Sequence, residues 1–361
     1  MNLSAQWQDD CDELLPIIDK VLRSGHYVGG DEVNKFEEKI ANFCQVKYAV
    51  ALNSGTDALT LALHLQGVGR GDEVITPPNS FIASTAAIIH LGAKPVFVDV
   101  LPDQNINSRK IEAAITSKTK AIMPVHLTGR VCEMDSIIAI AEKYSLSVVE
   151  DAAQAIGSKY KDQLSGSLGN VGCFSTHPLK NLNACGDGGF ITTNNKKLYF
   201  DLKALRNHGM SERNSVTKFG FVSRMDNLQA AILNYRLSKL DDIIQKRRSN
   251  AQIYFDKINT EFIYMANEKD YEFNTYHTFV IQTDRRDDLK KYLLENGIET
   301  AIHYPTPIHL QPASKSLGHK GGDFPEAEKQ SKQILTLPVN QSLKQEELEK
   351  IISTINRFFS K

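Results

Sequence analysis

Val171-Gly172-Cys173-Phe174-Ser175-Thr176-His177-Pro178-Leu179-Lys180, closed by Gly186-Asp187-Gly188-Gly189, is the stretch on which the reading of this chain turns. The apolar run from Val171 to Phe174 predicts a buried strand. It opens into a polar turn that carries a proline, one lysine and then a glycine hinge. A lysine held on a rigid turn and stripped of water loses its proton readily and can form a Schiff base with a carbonyl. An ordinary loop lysine is simply solvated, so the surroundings decide the role of Lys180.

Working outward, short apolar runs alternate with amphipathic stretches from about residue 45 to 195. The expected strands are 48–52, 73–76, 95–100, 121–126, 147–150, 172–175 and 189–193. Between them, 57–66, 80–91, 106–115 and 134–144 have helical spacing. Such alternation predicts an α/β fold with a mostly parallel central sheet covered on both faces. Ligands of such sheets bind at the carboxyl ends of the strands. Gly55, Thr56, Asp151 and Lys180 each follow an apolar run and fall at those ends. One long helix is expected from Asp226 to about Lys257, with the domain boundary near 240–250 inside it. That divides the chain into a large domain, 1–245, and a smaller α+β C-terminal domain, 246–361, which holds the patterned stretches 275–283, 286–296 and 346–359.

The 361 residues are enough for two cores. A formal net charge of −1 leaves no basic surplus for nucleic acid or an acidic membrane face. No apolar run has the length of a membrane span, and the first residues lack the pattern of a signal peptide. Five scattered cysteines without a Cys-x-x-Cys pair fit reduced thiols in a cytoplasm.

Several further segments carry chemistry. Asn53-Ser54-Gly55-Thr56-Asp57 follows a strand and opens a helix. Gly55 allows close backbone approach, Thr56 or Asp57 can cap, and the free N–H groups make an anion site; alone this is an ordinary helix start. Phe81, after Pro77-Pro78-Asn79-Ser80, is either core or a stacking platform for a flat ring. Glu150 and Asp151 end a buried strand. Asp151 can pair with a protonated pyridine nitrogen, and Gln154, about one turn on, can donate to a phenolic oxygen. In the bland alternative one acid caps the next helix and the other, Glu150 most plainly, is solvated. Ser175 can offer its hydroxyl to a phosphate. His177 either assists a proton transfer or packs on Pro178. His303 and Tyr304 lie on a proline-stiffened loop of the kind that contacts substrates; His303 with His309 lacks the supporting ligands of a metal site.

Together these parts describe a pyridoxal phosphate (PLP) site, and the chain resembles the DegT-like nucleotide-sugar aminotransferases, a family on the aspartate-aminotransferase (fold type I) scaffold. The motifs that carry the resemblance run from Ser24-Gly25-His26-Tyr27 to Leu335-Thr336-Leu337-Pro338. They include the Asn53–Leu59, Pro124–Gly129 and Glu150–Ala155 segments, the Lys180 segment, and Leu205-Arg206-Asn207-His208-Gly209. The resemblance implies a Schiff base at Lys180, Asp151 on the pyridine nitrogen and Gln154 on the phenolic oxygen. It implies Gly55, Thr56 and Ser175 on the phosphate and Phe81 near the ring. It further implies a homodimer with shared active sites, the segment around Asn227 reaching the partner's cofactor. L-Glutamate is the implied amino donor and a nucleotide-linked keto sugar the acceptor. The Gly186-Asp187-Gly188-Gly189 pattern looks more like enzymes that aminate C3 than those that aminate C4. A PLP-dependent sugar dehydratase and a non-enzymatic regulator are the rival readings on the same scaffold.

Overall fold

In the computed structural model, which describes residues 2–360, the Val-, Ile- and Ala-rich runs form one seven-stranded sheet. In chain order the strands are β1 (Tyr48–Leu52), β2 (Glu73–Thr76), β3 (Lys94–Phe97), β4 (Thr119–Ile122), β5 (Ser147–Asp151), β6 (Val171–Ser175) and β7 (Gly189–Thr193). Across the sheet the order is β1-β7-β6-β5-β4-β2-β3. Only β7 runs antiparallel to its neighbours. This is the mostly parallel α/β sheet that the alternation predicts. Two boundaries move inward. Residues 95–100 contribute only the edge strand β3, where Pro95 is tolerated because an edge has no second partner to satisfy. The strand expected at 121–126 is β4, ending at Ile122, shortly before Pro124 removes a ladder N–H.

Of the helices of the large domain, those expected at 57–66, 80–91 and 134–144 form. The stretches 106–115 and 226–257 differ, and three more helices, near the N-terminus and after β7, lie outside the expected stretches. The first six are α1 (Leu3–Ser24), α2 (Asp31–Phe43), α3 (Gly55–Leu65), α4 (Ile82–His90), α5 (Met134–Tyr144) and α6 (Lys196–Leu205). The stretch 106–115 forms only one α-turn, Ser108–Ile111, and a 3-10 turn. The long helix is in fact two, α7 (Asn227–Leu237) and α8 (Leu240–Lys257), parted at Ser238 and Lys239. Two apolar layers cover the sheet. Leu59, Leu63, Ile88 and Leu202 lie in one, and Phe36, Phe174, Phe190 and Leu233 in the other.

A second core forms around β8 (Phe279–Gln282) and β9 (Ile334–Leu337), which pair antiparallel with Phe279 opposite Leu337. Helices α9 (Arg286–Glu295) and α11 (Gln345–Phe359) pack on this pair, while α10 (Pro325–Gln333) leads into β9. Leu348, Ile351, Ile352 and Ile355 repeat at helical spacing and form the buried stripe of α11. Helix α8 serves both cores: Ile244 packs with the large one, Ala251 and Tyr254 with the small one.

Candidate active site

The carboxyl ends of β1, β5 and β6 open into a cleft of about 730 Å³ between the sheet and the β8–β9 unit. Its size suits a cofactor with a substrate, and its lining mixes apolar side chains with a few convergent polar groups. Gly55, Thr56, Phe81, Asp151, Gln154, Ser175, His177, Lys180, His303 and Tyr304 all line it. Ten residues scattered over 250 positions of sequence thus meet in one place.

Lys180 is half-buried on a turn that begins where β6 ends. Its own N–H donates to the His177 carbonyl at 2.8 Å, and Ala184 N–H closes the turn on Thr176 O at 2.7 Å. Desolvation lowers its ammonium pKa from 10.5 to about 8, with the Asp151 charge working in the opposite direction. The amine is still mostly protonated near neutral pH, but it gives up its proton far more readily than an ordinary solvated lysine, which favours Schiff-base chemistry.

Asp151 is buried at the end of β5. Ser84 Oγ, on α4, donates to its Oδ2 at 2.6 Å, and Ala153 N–H donates to Oδ1 at 3.2 Å. Burial raises its carboxyl pKa, while the Ser84 and Ala153 bonds and the Lys180 charge oppose the rise. Gln154 is also buried, and its Oε1 accepts from Thr128 N–H at 2.8 Å. That bond fixes the amide's orientation and leaves Nε2 as the group for the cleft. Phe81 stands at the start of α4 with 55% of its surface exposed, its ring 5.9 Å from that of Tyr304. Left this open at a cleft, Phe81 is not part of the core, and its ring is free to pack on a flat group.

The turn from β1 into α3 meets the end of β6 at very short range. A Cβ on Gly55 would lie 2.7 Å from Ser175 Cβ, so only glycine fits. Neither Thr56 nor Asp57 caps α3: Ser54 does, accepting from Asp57 N–H at 3.1 Å. Gly55 and Thr56, in the first turn of α3 where N–H groups have no partner within the helix, line the cleft beside Ser175, whose Oγ accepts from His177 N–H at 3.3 Å and keeps its own proton to donate. A helix start with two free N–H groups beside a hydroxyl is a set of donors that can hold a phosphate.

On the opposite wall, His303 Nδ1 lies 3.0 Å from Thr336 Oγ1 of β9, and desolvation lowers the imidazole pKa. Burial pushes the Tyr304 phenol up to about 12, with the Asp151 charge adding to the effect. His177 is exposed, and its Nδ1 accepts from Leu179 N–H at 3.3 Å. That bond orients the ring within the Lys180 turn. His309 lies elsewhere, 3.0 Å from Glu328.

One expectation needs correction, that for Glu150. Asn227, expected at a partner's cofactor, does not line the cleft of its own chain. It is buried under the N-terminal segment, where Oδ1 accepts from Glu32 N–H and Nδ2 donates to His26 O at 2.9 Å. Within its own chain the Asn227 amide thus engages Oδ1 and one Nδ2 proton, and the nearby apolar side chains Phe219, Phe221 and Val222 are exposed. Glu150 is neither a cap nor solvated. It is completely buried, accepting from Gly166, Leu168 and Gly169 N–H and from His126 Nε2 at 2.9 Å. Sequence reasoning also missed Ser84 and Thr128. The only signal for Ser84 was its spacing of four from Ser80 on a helix, and Thr128 acts through its backbone.

The residues fit PLP: a glycine-only cradle for its phosphate, a buried carboxylate, an oriented amide and a desolvated amine face one cleft. Comparison with known proteins agrees. Residues 8–356 match the DegT/DnrJ/EryC1/StrS aminotransferase family. The dTDP-3-amino-3,6-dideoxy-alpha-D-galactopyranose transaminase of Aneurinibacillus thermoaerophilus is 44% identical, over 96% of this chain and 95% of that protein. A pleiotropic regulatory protein of Geobacillus stearothermophilus is 41% identical, over 99% and 98%. The crystal structure of S. venezuelae DesV in complex with a ketimine intermediate superposes with a TM-score of 0.97 at 37% identity, covering 100% of this chain and 98% of that one. The family is PLP-dependent, and its solved structures include pyridoxal and pyridoxamine forms. This chain belongs to the DegT/DnrJ/EryC1/StrS aminotransferase family.

Proposed function

We propose that this protein transfers an amino group from L-glutamate to the keto group of a nucleotide-linked sugar, with C3 as the position aminated. The observation that carries the reading is the pairing in one cleft of a Lys180 amine lowered to about 8 with the buried Asp151 carboxylate. The C3 position is supported by relatives named as transaminases of 3-amino sugars or 3-dehydro sugars, among them the Aneurinibacillus enzyme. The regulatory and sensory-transduction names of two relatives do not favour a sensor here, because Lys180, Asp151 and the Gly55, Thr56 and Ser175 set all meet in a cleft with room for a substrate as well.

When bound, PLP supplies an electron sink for the carbanion formed at the amino-bearing carbon. Gly55 and Thr56 N–H and Ser175 Oγ would hold its phosphate. Phe81 would pack against the ring, Gln154 Nε2 would donate to the phenolic oxygen, and Asp151 would keep the ring nitrogen protonated. Lys180, released when the donor's amino group displaces it, would take the proton from the donor's α carbon and return it at the 1,3-related carbon across the nitrogen, work suited to a positioned amine. His177, His303 and Tyr304 face the substrate side and orient the donor and the sugar.

Assembly as a homodimer belongs to the same proposal. Leu3, Trp7, Leu15 and Leu22 lie exposed along one side of α1, and Tyr27, Val28, Leu179, Phe219 and Val222 are also open. Apolar surface of this extent supports a second copy covering it. The five free cysteines support residence in a reducing cytoplasm, and no helix among the described residues is long and apolar enough to cross a membrane.

Replacing Lys180 with Ala tests the assignment. The expected result is loss of the borohydride-reducible cofactor bond and of transamination with the fold intact by circular dichroism. Full activity in that variant would remove Lys180 from the mechanism.

A further inference from the structure

Helix α1 turns two polar side chains, Gln6 and Asp10, into the body of the protein beside the apolar Leu14 and Val21. Polar groups one helical turn apart are buried only where they find partners. Gln6 finds Asn183. The two amides exchange hydrogen bonds: Gln6 Nε2 donates to Asn183 Oδ1 at 3.0 Å, and Asn183 Nδ2 donates to Gln6 Oε1 at 2.9 Å. The same Asn183 Nδ2 also donates to the Pro178 carbonyl at 2.8 Å. Pro178 lies two residues before Lys180, and Asn183 three after it. The Asn183 side chain therefore bridges the Lys180 turn from one limb to the other, and Gln6 holds the bridging amide in place.

Asp10 secures the next layer. Its carboxylate receives Arg236 Nε at 3.2 Å, and Arg236 Nη1 in turn donates to the Asn183 carbonyl at 2.9 Å. Arg236, Asp10 and Gln6 are all buried. From the other side Asn181 Nδ2 reaches Thr275 O at 3.3 Å. The backbone carrying Lys180 is thus tied to α1, to α7 and to the chain before β8, while the amine itself stays open to the cleft. Asn2, the cap of α1, lines the same cleft.

We propose that Gln6 and Asn183 are positioning residues for Lys180, and that α1 is a working part of the catalytic turn. The proposal rests on the PLP reading of the site. Transfer of a proton between two carbons requires the amine at one point in space, and a displacement of about 1 Å at a reacting group can cost about 100-fold in rate. An amide pair that bridges the turn supplies that restraint without touching any reactant, so its loss acts on the rate of the step and not on binding.

The test uses the full-length protein with Gln6→Ala, Asn183→Ala and the double variant. Two readouts are followed: the rate at which apo protein forms its borohydride-reducible bond with added PLP, and the single-turnover rate of amino transfer from L-glutamate against its half-saturating concentration. Both rates are expected to fall about tenfold in each single variant, with the half-saturating concentration unchanged. The double variant is expected to be no slower than the slower single one, because both changes remove one interaction. Gln6 lies on α1, outside both the sheet and the Lys180 turn itself, so Gln6→Ala decides the matter even if Asn183→Ala does not fold. Rates in Gln6→Ala within about threefold of the wild type, whatever its melting temperature, overturn the proposal. If the wild type itself neither captures PLP nor reacts with glutamate, the functional reading fails instead, so the two failures are distinct.

Discussion

Glu150 Oε2 lies 2.9 Å from His126 Nε2, and neither side chain has any exposed surface. The other ring nitrogen, Nδ1, accepts from Cys132 N–H at 3.2 Å, so the ring proton sits at Nε2 and points at the carboxylate. Each Glu150 oxygen meets two donors: Oε2 meets His126 and Gly166, and Oε1 meets Leu168 and Gly169. The pair stands directly behind the site, for Asp151 follows Glu150 in the strand and His126 N–H donates to the Asp151 carbonyl at 3.0 Å. An amide in place of this carboxylate would set its NH₂ against two N–H donors. Glu150→Gln is expected to destabilise the protein by about 3 kcal/mol, read as a lowered unfolding midpoint. A midpoint equal to that of the wild type would mean that the carboxylate is not needed there.

Lys180 gives a pH prediction with a definite sign. Only the neutral amine captures PLP, and its pKa is lowered from 10.5 to about 8. The capture rate of the apo protein should rise about tenfold per pH unit below 8 and level off above it. A rate still rising through pH 10 would show an ordinary, solvated lysine.

Asp151→Asn keeps the shape and loses the charge. The variant should still capture PLP, since Gly55, Thr56, Ser175 and Lys180 are untouched. Turnover should fall about 100-fold or more, because a neutral amide cannot hold a proton on the ring nitrogen. Steady-state kinetics on the reconstituted variant measures this directly, and a rate near that of the wild type would remove Asp151 from its role.

Gly55→Ala tests the cradle. The added methyl meets Ser175 Cβ at 2.7 Å and forces the start of α3 away from the end of β6. PLP affinity should drop by about tenfold or more while the sheet stays folded, since the N–H groups and the hydroxyl no longer converge. Equilibrium dialysis against PLP would check it, and unchanged affinity would place the phosphate elsewhere.

Much of the site was legible in the chain because its residues sit where strands end. Asp151 and Lys180 each follow an apolar run, and a parallel sheet brings such ends together without further information. What was hidden depends on partners distant in sequence. Glu150 reads as a solvated acid until the turn at Gly166–Gly169 and His126 fold onto it. Gln6 and Asn183 lie 177 positions apart, and nothing local marks either. Asn227 enters only through the family resemblance, and its burial beneath the N-terminal segment is not visible from its own neighbours in the chain. The break between α7 and α8 carries neither glycine nor proline. Ser238 makes it by donating its hydroxyl back to Tyr235 O at 2.6 Å, a local bond that composition does not announce.

The central claim is amino transfer through Lys180, and the most direct test is an absorbance spectrum of the PLP-loaded protein before and after addition of L-glutamate. The account predicts a visible band that glutamate replaces with the near-ultraviolet band of the pyridoxamine form, and that a 3-keto nucleotide sugar restores. A visible band that glutamate leaves unchanged would contradict it.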